Sequence, residues 1–428
     1  MHNRARTLLS LAAASAASAV ASAVVIHPTF DTTVTSSPNS AQIESAFNYA
    51  AAQFQNNFSD NVTINITVKS TPGTGTLGQS NTNLIGPFTY SQIIAALTSH
   101  ATTANDTTAL ASLPGTDPTG QNAYIVSRAQ AKALGIGGVS ANDSNIDGTF
   151  TFGTGYTYTY DPNNRAVPGS IDFIGVAMHE ISEIMGRIFL LGENLTGQPN
   201  YVPLDLFRFV SANTRNMVPA ASGVYFSIDN GVTNLKGYNA VQGADYQDWA
   251  SGTNDSFNAF SSSGVKNDLT AVDFIVMDVI GYTLNPSCPL FTQQPSPAKP
   301  CRTGTATLSV SVTGSPTYQW FKGTTALSNA AGHIAGATTS TLTISNAQAG
   351  DTGSYTCTAT STCSTTSNPA TVSVCVADFN CSGAVTVQDI FDFLSAWFAH
   401  ASSADVNGSG TVTVQDIFDF LNAWFAGC

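Results

Sequence analysis

Charge is scarce in this chain of 428 residues: Asp, Glu, Lys and Arg together make up only 10%, and the balance is acidic, at -13. So acidic a molecule has no electrostatic route to nucleic acid, which excludes that class of partner. Cysteine is absent before residue 288; all seven (288, 301, 357, 363, 375, 381 and 428) lie in the C-terminal third. The longer N-terminal part therefore has no disulfide, and any metal site there cannot use thiolate. Histidine is nearly as rare in that part, where His27, His100 and His179 are the only ones after residue 23. Residues 375–428 contain six Asp and neither Lys nor Arg, so this tail should attract cations. After the first 23 residues no stretch approaches the ~20 uninterrupted apolar residues of a membrane helix.

What is present divides the chain. "MHNRARTLLSLAAASAASAVASAVV" places Arg4 and Arg6 before a short Ala/Ser-rich apolar run ending in Ala21-Ser22-Ala23, the pattern of a signal peptide over residues 1–23. The protein is therefore expected outside the cytoplasm, without a transmembrane helix in the mature chain. Five prolines in "NPSCPLFTQQPSPAKPC" predict an extended linker at 286–301, closing a first domain at 24–285. Within that domain Ile43, Phe47, Ala50, Ala51 and Phe54 share a helical face, with Asn39 as a candidate cap. Val62, Ile64, Ile66 and Val68 alternate as in a half-buried strand, and "GTFTFGTGYTYTY" alternates again. "PGSIDFIGVAMHEISEIMGR" predicts a helix capped by Ser170 with Asp172 in its first turn.

Residues 302–374, rich in Thr, Ser and Val with short alternating runs, predict an all-β sandwich. "YQWFK" and "DTGSYTC" resemble strand C and the tyrosine-corner strand of an immunoglobulin-like domain, with Trp320, Asp351, Tyr355 and Cys357 in the family positions. Val310 stands where that family has its other cysteine, so Cys301 or Cys363 is the expected partner of Cys357. Seven is an odd number, and Cys428, the last residue, is the expected unpaired thiol.

Residues 375–428 hold a near-duplicate, "GAVTVQDIFDFLSAWFA" and "GTVTVQDIFDFLNAWFA". A polar ladder precedes each copy. Asp378, Asn380, Ser382, the Ala384 carbonyl and Asp389 occupy positions 1, 3, 5, 7 and 12 of one calcium-type loop, and Asp405, Asn407, Ser409, the Thr411 carbonyl and Asp416 those of a second. Gly383 and Gly410 supply the turn at position 6. Calcium is the expected cofactor. Asp at position 12, a helix only after each loop and the terminal Gly427-Cys428 resemble a GC-type dockerin module, which implies a cohesin-like or cell-envelope anchoring partner.

The remaining constellation is "AMHEISEIMGR". His179 and Glu183 are four residues apart and share a helical face, with Glu180 about 100° round. These are the positions of an HExxH zinc helix in which the second histidine is replaced by glutamate and the intervening glutamate is the general base. Glu183 and Arg187 are also four apart, so a plain surface ion pair is the competing explanation. Phe189 stands where a further histidine ligand would be, so a third ligand would have to be a carboxylate downstream; Asp205 and Glu193 are the nearest. Met277 reads as a core residue of a C-terminal helix. "TLGQSNT", "AQAKALG", "HEISEIMGR", "PLDLFRF", "DWASG" and "VMDVIGY" together resemble a family of secreted bacterial metalloproteases with HExxE in place of HExxH. The resemblance implies an α+β zincin-like catalytic domain, followed by the all-β sandwich and a small α-helical module of paired calcium loops. The implied function is a zinc-dependent endopeptidase acting on peptide or protein and held at the cell surface. The alternative is a non-catalytic surface binding protein with a degenerate peptidase fold.

Overall fold

The computed structural model describes residues 24–428 other than 242–243, 251–253, 286–287 and 362–363; the signal-peptide expectation for 1–23 lies outside the described residues. The chain is multidomain and mixed α/β. In the first domain, strand β1 (Val25–Phe30) is followed by helix α1 (Ser40–Asn57), β2 (Thr63–Thr71), β3 (Gly78–Thr82) and β4 (Gly148–Gly153). They form a sheet ordered β1-β2-β4-β3, parallel throughout except for the antiparallel edge strand β3. Ile64, Ile66, Val68, Phe150 and Phe152 are buried between the sheet and its helices. The apolar face of α1 packs there as its periodicity predicts, with Ile43, Phe47, Ala50, Ala51 and Phe54 all buried. Asn39 is its N-cap residue but makes no side-chain capping bond.

Helix α2 (Phe173–Ile184) carries the His-Glu motif and packs against α1 and β3. It starts later than expected. Asp172, not Ser170, is the N-cap residue, and its carboxylate is taken up by Arg165 and by the Asn267 amide instead of by its own helix. Every α2 residue except His179 is buried, so the motif lies on a core helix rather than a surface one. Helix α3 (Ala271–Val279) closes the domain, with Met277 in the core.

The segment expected to be a linker is part of the sandwich. Strand β5 (Phe291–Gln293) pairs with residues 311–312, Phe291 is buried in the sandwich core, and Ala298 bridges to Val372. The prolines kept the segment extended, and an extended segment at a sheet edge tolerates them. Strands β6 (Thr317–Lys322) and β7 (Gly353–Thr360) pair at the centre of the domain, where Trp320 is fully buried. The Tyr355 hydroxyl donates to the Asp351 carbonyl at 2.7 Å, the tyrosine-corner bond. Cys357 is buried and free, with Cys301 bonded elsewhere and Cys363 outside the described residues, and burial pushes the Cys357 thiol up to about 12. Val310 and Cys357 both lie in the sandwich core, where a valine and an unpaired thiol each serve as packing groups.

Helices α4 (Val387–Phe398) and α5 (Val414–Ala426) carry the repeat. Phe393 and Phe420 stack with centroids 4.2 Å apart. The exchange is reciprocal: Trp397 donates to the Thr413 carbonyl and Trp424 to the Thr386 carbonyl. Cys428 is not the unpaired thiol; it is bonded to Cys375, joining the two ends of the module. Cys301 is bonded to Cys381, which lies inside the first loop, and Arg302 donates to the Ser403 and Asp405 carbonyls at the second. The module is thus tied to the sandwich at both loops. No helix among the described residues is long and apolar enough to cross a membrane.

Candidate metal centre

Three ligand-type side chains converge in the first domain: atoms of His179, Glu183 and Asp248 all lie within 4.8 Å of one another. His179 Nε2 is 3.4 Å from Glu183 Oε1 and 3.4 Å from Asp248 Oδ1. The His179 Nδ1 lies 2.8 Å from the Ser256 carbonyl and donates to it, so Nε2 faces the two carboxylates: protonated it pairs with them, and deprotonated it offers a lone pair to a cation between them. A metal-binding imidazole is ordinarily held in this way. Glu183 is fixed from three sides: Ser80 on β3 donates to Oε2 at 2.7 Å, and Gln247 at 2.8 Å and Arg187 at 3.4 Å donate to Oε1.

Arg187 reaches the centre through the helix terminus. Gly186, at φ +114°, follows the C-cap residue Met185; the Gly186 amide donates to Glu183 and the Arg187 amide to Ser182. That Schellman pattern requires a glycine-like backbone at 186 and turns residue 187 back over the last helical turn. The guanidinium then donates to Asp248 Oδ1 at 2.8 Å and to Ser182 Oγ at 2.7 Å, and lies 4.4 Å from the Phe257 ring centroid. Arg187 is fully buried, so the pair with Glu183 is not the exposed ion pair that spacing alone allowed.

Glu180 sits beside this group, against Gly78 on β3. It is buried, and no hydrogen bond holds its carboxyl among the described residues. A Cβ at Gly78 on β3 would collide with its Oε1, so glycine there is a matter of space. With Gly78 and Ser80 one pleat apart, the edge strand presents one residue to Glu180 and the next on that face to Glu183. Burial, and then the Glu183 charge, push the Glu180 carboxyl well above the ordinary range. Burial acts the same way on Glu183, but His179, Arg187 and Gln247 outweigh it and hold that carboxyl at about 2. Burial raises Asp248 to about 6 against the pull of His179 and Arg187. For His179 burial favours the neutral ring, yet Asp248 and Glu183 raise it to about 10.

The expected third ligands do not join the cluster. Asp205 is fully buried, and its Oδ2 accepts from the Leu191 and Val202 amides at 3.1 and 2.9 Å, capping a short helical turn. Glu193 is exposed in a two-residue strand. Asp248 lies in irregular chain far downstream, inside the "DWASG" stretch; nothing in spacing separates it from Asp245 or Asp255. Beside the cluster is a cavity of about 620 Å³, lined by residues 189–193, Pro219 and residues 244–247, and Gln247 links the two through its bond to Glu183.

In the C-terminal module the loop residues repeat one geometry twice. Asp378 accepts from the Ser382 and Gly383 amides, both at 2.9 Å, and Asp405 from Ser409 and Gly410 at 2.9 and 2.8 Å. Asp389 accepts from Asn380 and Thr386, and Asp416 from Asn407 and Thr413. Positions 1 and 12 thus face one turn in each loop.

Comparison with known proteins recognises one region. Residues 289–374 match the immunoglobulin I-set domain model. They form an immunoglobulin-like domain. No peptidase, zincin or dockerin family is matched, and no curated protein matches the chain. Among solved structures, similarity is found to tandem Ig repeats of Dlar (22% identity, 22% of this chain and 50% of that one, TM-score 0.21). It also extends to extracellular domains 3–5 of Drosophila OTK (28% identity, 20% and 31%, TM-score 0.19) and to titin M4 (19% identity, 21% and 98%, TM-score 0.20). The chain spans half of the first of these proteins and about a third of the second.

Proposed function

We propose that the first domain is a zinc-dependent endopeptidase of zincin-like architecture. The observation that carries this reading is the convergence of His179, Glu183 and Asp248, with Glu180 adjacent and outside the ligand set. The residues fit the ion: one imidazole nitrogen and two carboxylate oxygens are legitimate zinc donors, and the imidazole is already oriented by the Ser256 carbonyl. The antiparallel edge strand β3 running past the histidine helix supports the same reading. A zinc ion held there supplies Lewis acidity toward a carbonyl oxygen and acidifies water. Glu180 takes a proton at its carboxylate and returns it to the leaving amine. His179, Glu183 and Asp248 hold the ion, while Ser80, Gln247 and Arg187 keep the carboxylates in place. The C-terminal module binds two calcium ions through Asp378, Asn380, Ser382, Ala384 and Asp389 and through Asp405, Asn407, Ser409, Thr411 and Asp416. It acts as the surface anchor of a secreted protein.

One observation favours the alternative of a non-catalytic surface binding protein: the carboxylates at the centre are already neutralised by Arg187 and His179. Cleavage of casein by the purified chain, with and without a zinc chelator, separates the two. Zinc-dependent cleavage supports the peptidase; zinc-bearing protein without cleavage of casein or a random peptide pool supports the alternative.

A further inference from the structure

The centre contains a group that no metal-binding motif requires, a buried guanidinium. Glu183 and Asp248 bring two negative charges to one site, and with a neutral His179 they would make a divalent cation electrically neutral. Such a centre is a poor Lewis acid, because the ion's charge is spent on its ligands. Arg187 changes that count. It is fully buried, and its two terminal nitrogens contact Asp248 Oδ1 and Glu183 Oε1, the same oxygens that face His179 Nε2. With a divalent ion the group then carries a net charge of one, the value left by two neutral histidines and a single carboxylate around the same ion.

We infer that Arg187 is the electrostatic counterpart of the histidine-to-glutamate exchange at position 183: a positioning residue, not a ligand, that restores the charge lost when a neutral donor became an anion. This inference rests on the peptidase reading of the same site. The local sequence ties the two together, since Gly186 ends α2 by the turn that returns Arg187 onto Glu183. It also alters what the ligand set alone would predict. Two carboxylate ligands by themselves argue for an alkaline optimum; with Arg187 in place the profile should centre near neutrality, as for histidine-rich zinc sites.

The test is a charge cycle in the full chain, using Glu183→His, Arg187→Met and the double variant. The readouts are zinc affinity by competition with a chromophoric chelator and the pH midpoint of the visible spectrum after cobalt substitution. Arg187→Met should raise that midpoint by about two to three units, since a unit charge about 4–6 Å away in an effective dielectric near 20 has an effect of this order. Glu183→His, which leaves Arg187 without its counter-charge, should weaken zinc at least about tenfold. In the double variant both quantities should return to within about threefold and half a unit of wild type. Thermal unfolding of each protein separates loss of fold from loss of charge balance; if Arg187→Met does not fold, recovery of affinity from Glu183→His to the double variant carries the test. Wild type that binds zinc, with a double variant no better than either single one, overturns the inference and leaves the peptidase reading standing. Wild type that binds no zinc overturns both.

Discussion

In the first domain Glu183 and Asp248 are buried and share one permanent cation, Arg187. In the C-terminal module Asp378, Asp389, Asp405 and Asp416 turn onto the amides of their own loops, and residues 375–428 contain neither Lys nor Arg. Glu183 and Asp248 have a permanent counter-charge built into the fold beside them, as buried carboxylates that stay ionised need. Asp378, Asp389 and Asp416 are also buried, but amides of their own loops hold them, with no Lys or Arg of the module beside them. The neighbouring cation that the fold does supply there, Arg302, comes from the immunoglobulin-like domain and donates to carbonyls, not to the loop carboxylates. One acidic centre therefore has a cation built into its fold, and the other has no Lys or Arg of its own.

The largest expected difference is catalytic. Glu180→Gln removes a proton acceptor without touching the ligand group, and should lower peptide cleavage by about 10²–10⁴-fold at unchanged zinc content. Steady-state cleavage alongside elemental analysis checks this. Next in size is Glu183→Ala. A surface pair would cost under about 1 kcal/mol, but removing one partner of a buried network leaves Arg187 short of counter-charge and should cost about 3–5 kcal/mol. Denaturant unfolding of the first-domain transition decides between these figures.

Calcium should act on the other centre alone. At a hundredfold excess over its Kd it should stabilise the C-terminal module by about 2.7 kcal/mol per occupied loop and leave the first-domain transition unmoved. Two disulfides, Cys301–Cys381 and Cys375–Cys428, hold the module even without calcium, so the effect is expected in melting temperature more than in helix content. Absence of any binding heat would argue against the loops as calcium sites.

The smallest effect is one of pH. Burial raises Asp278 to about 7, its Oδ1 has no hydrogen-bond partner, and Oδ2 accepts from Thr103. A raised carboxyl pKa contributes stability that is complete below about 4 and lost as pH rises through about 7. The Asp278 contribution should therefore fall between about pH 5 and 7 by an amount on the order of 2 kcal/mol, alongside those of Asp205 and Asp273, which burial raises to about 7 and about 8, and Asp278→Asn should reduce the slope of the first domain without abolishing it. Asp392 and Asp419 on the module's helices are lowered by Asn380 and Asn407, so the module should not share this loss.

Much of this contrast was legible in the residues. The periodicity of α1, the alternation of β2 and the tyrosine corner each appear as expected, because they depend on local pattern. His179 and Glu183 come together because a helix brings residues four apart onto one face. Asp248 was not legible: it reaches the site through irregular chain whose course is set by packing, as in the bond from Trp249 to Asp273. Proximity in sequence favoured Asp205, whose carboxylate is occupied with capping. Arg187 was visible as a neighbour of Glu183, but its burial depends on the turn at Gly186 and on Phe257. The cysteine pairing was equally hidden, since Cys301–Cys381 depends on how the module sits against the sandwich and Cys375–Cys428 on how the two ends of the module meet.

The most direct test compares two aspartates. Zinc per chain should be measured by elemental analysis on wild type, Asp248→Ala and Asp205→Asn, each confirmed folded. One zinc in wild type and in Asp205→Asn, with none in Asp248→Ala, is the predicted result. Wild type without zinc, or zinc retained in Asp248→Ala and lost in Asp205→Asn, would contradict the centre built from His179, Glu183 and Asp248.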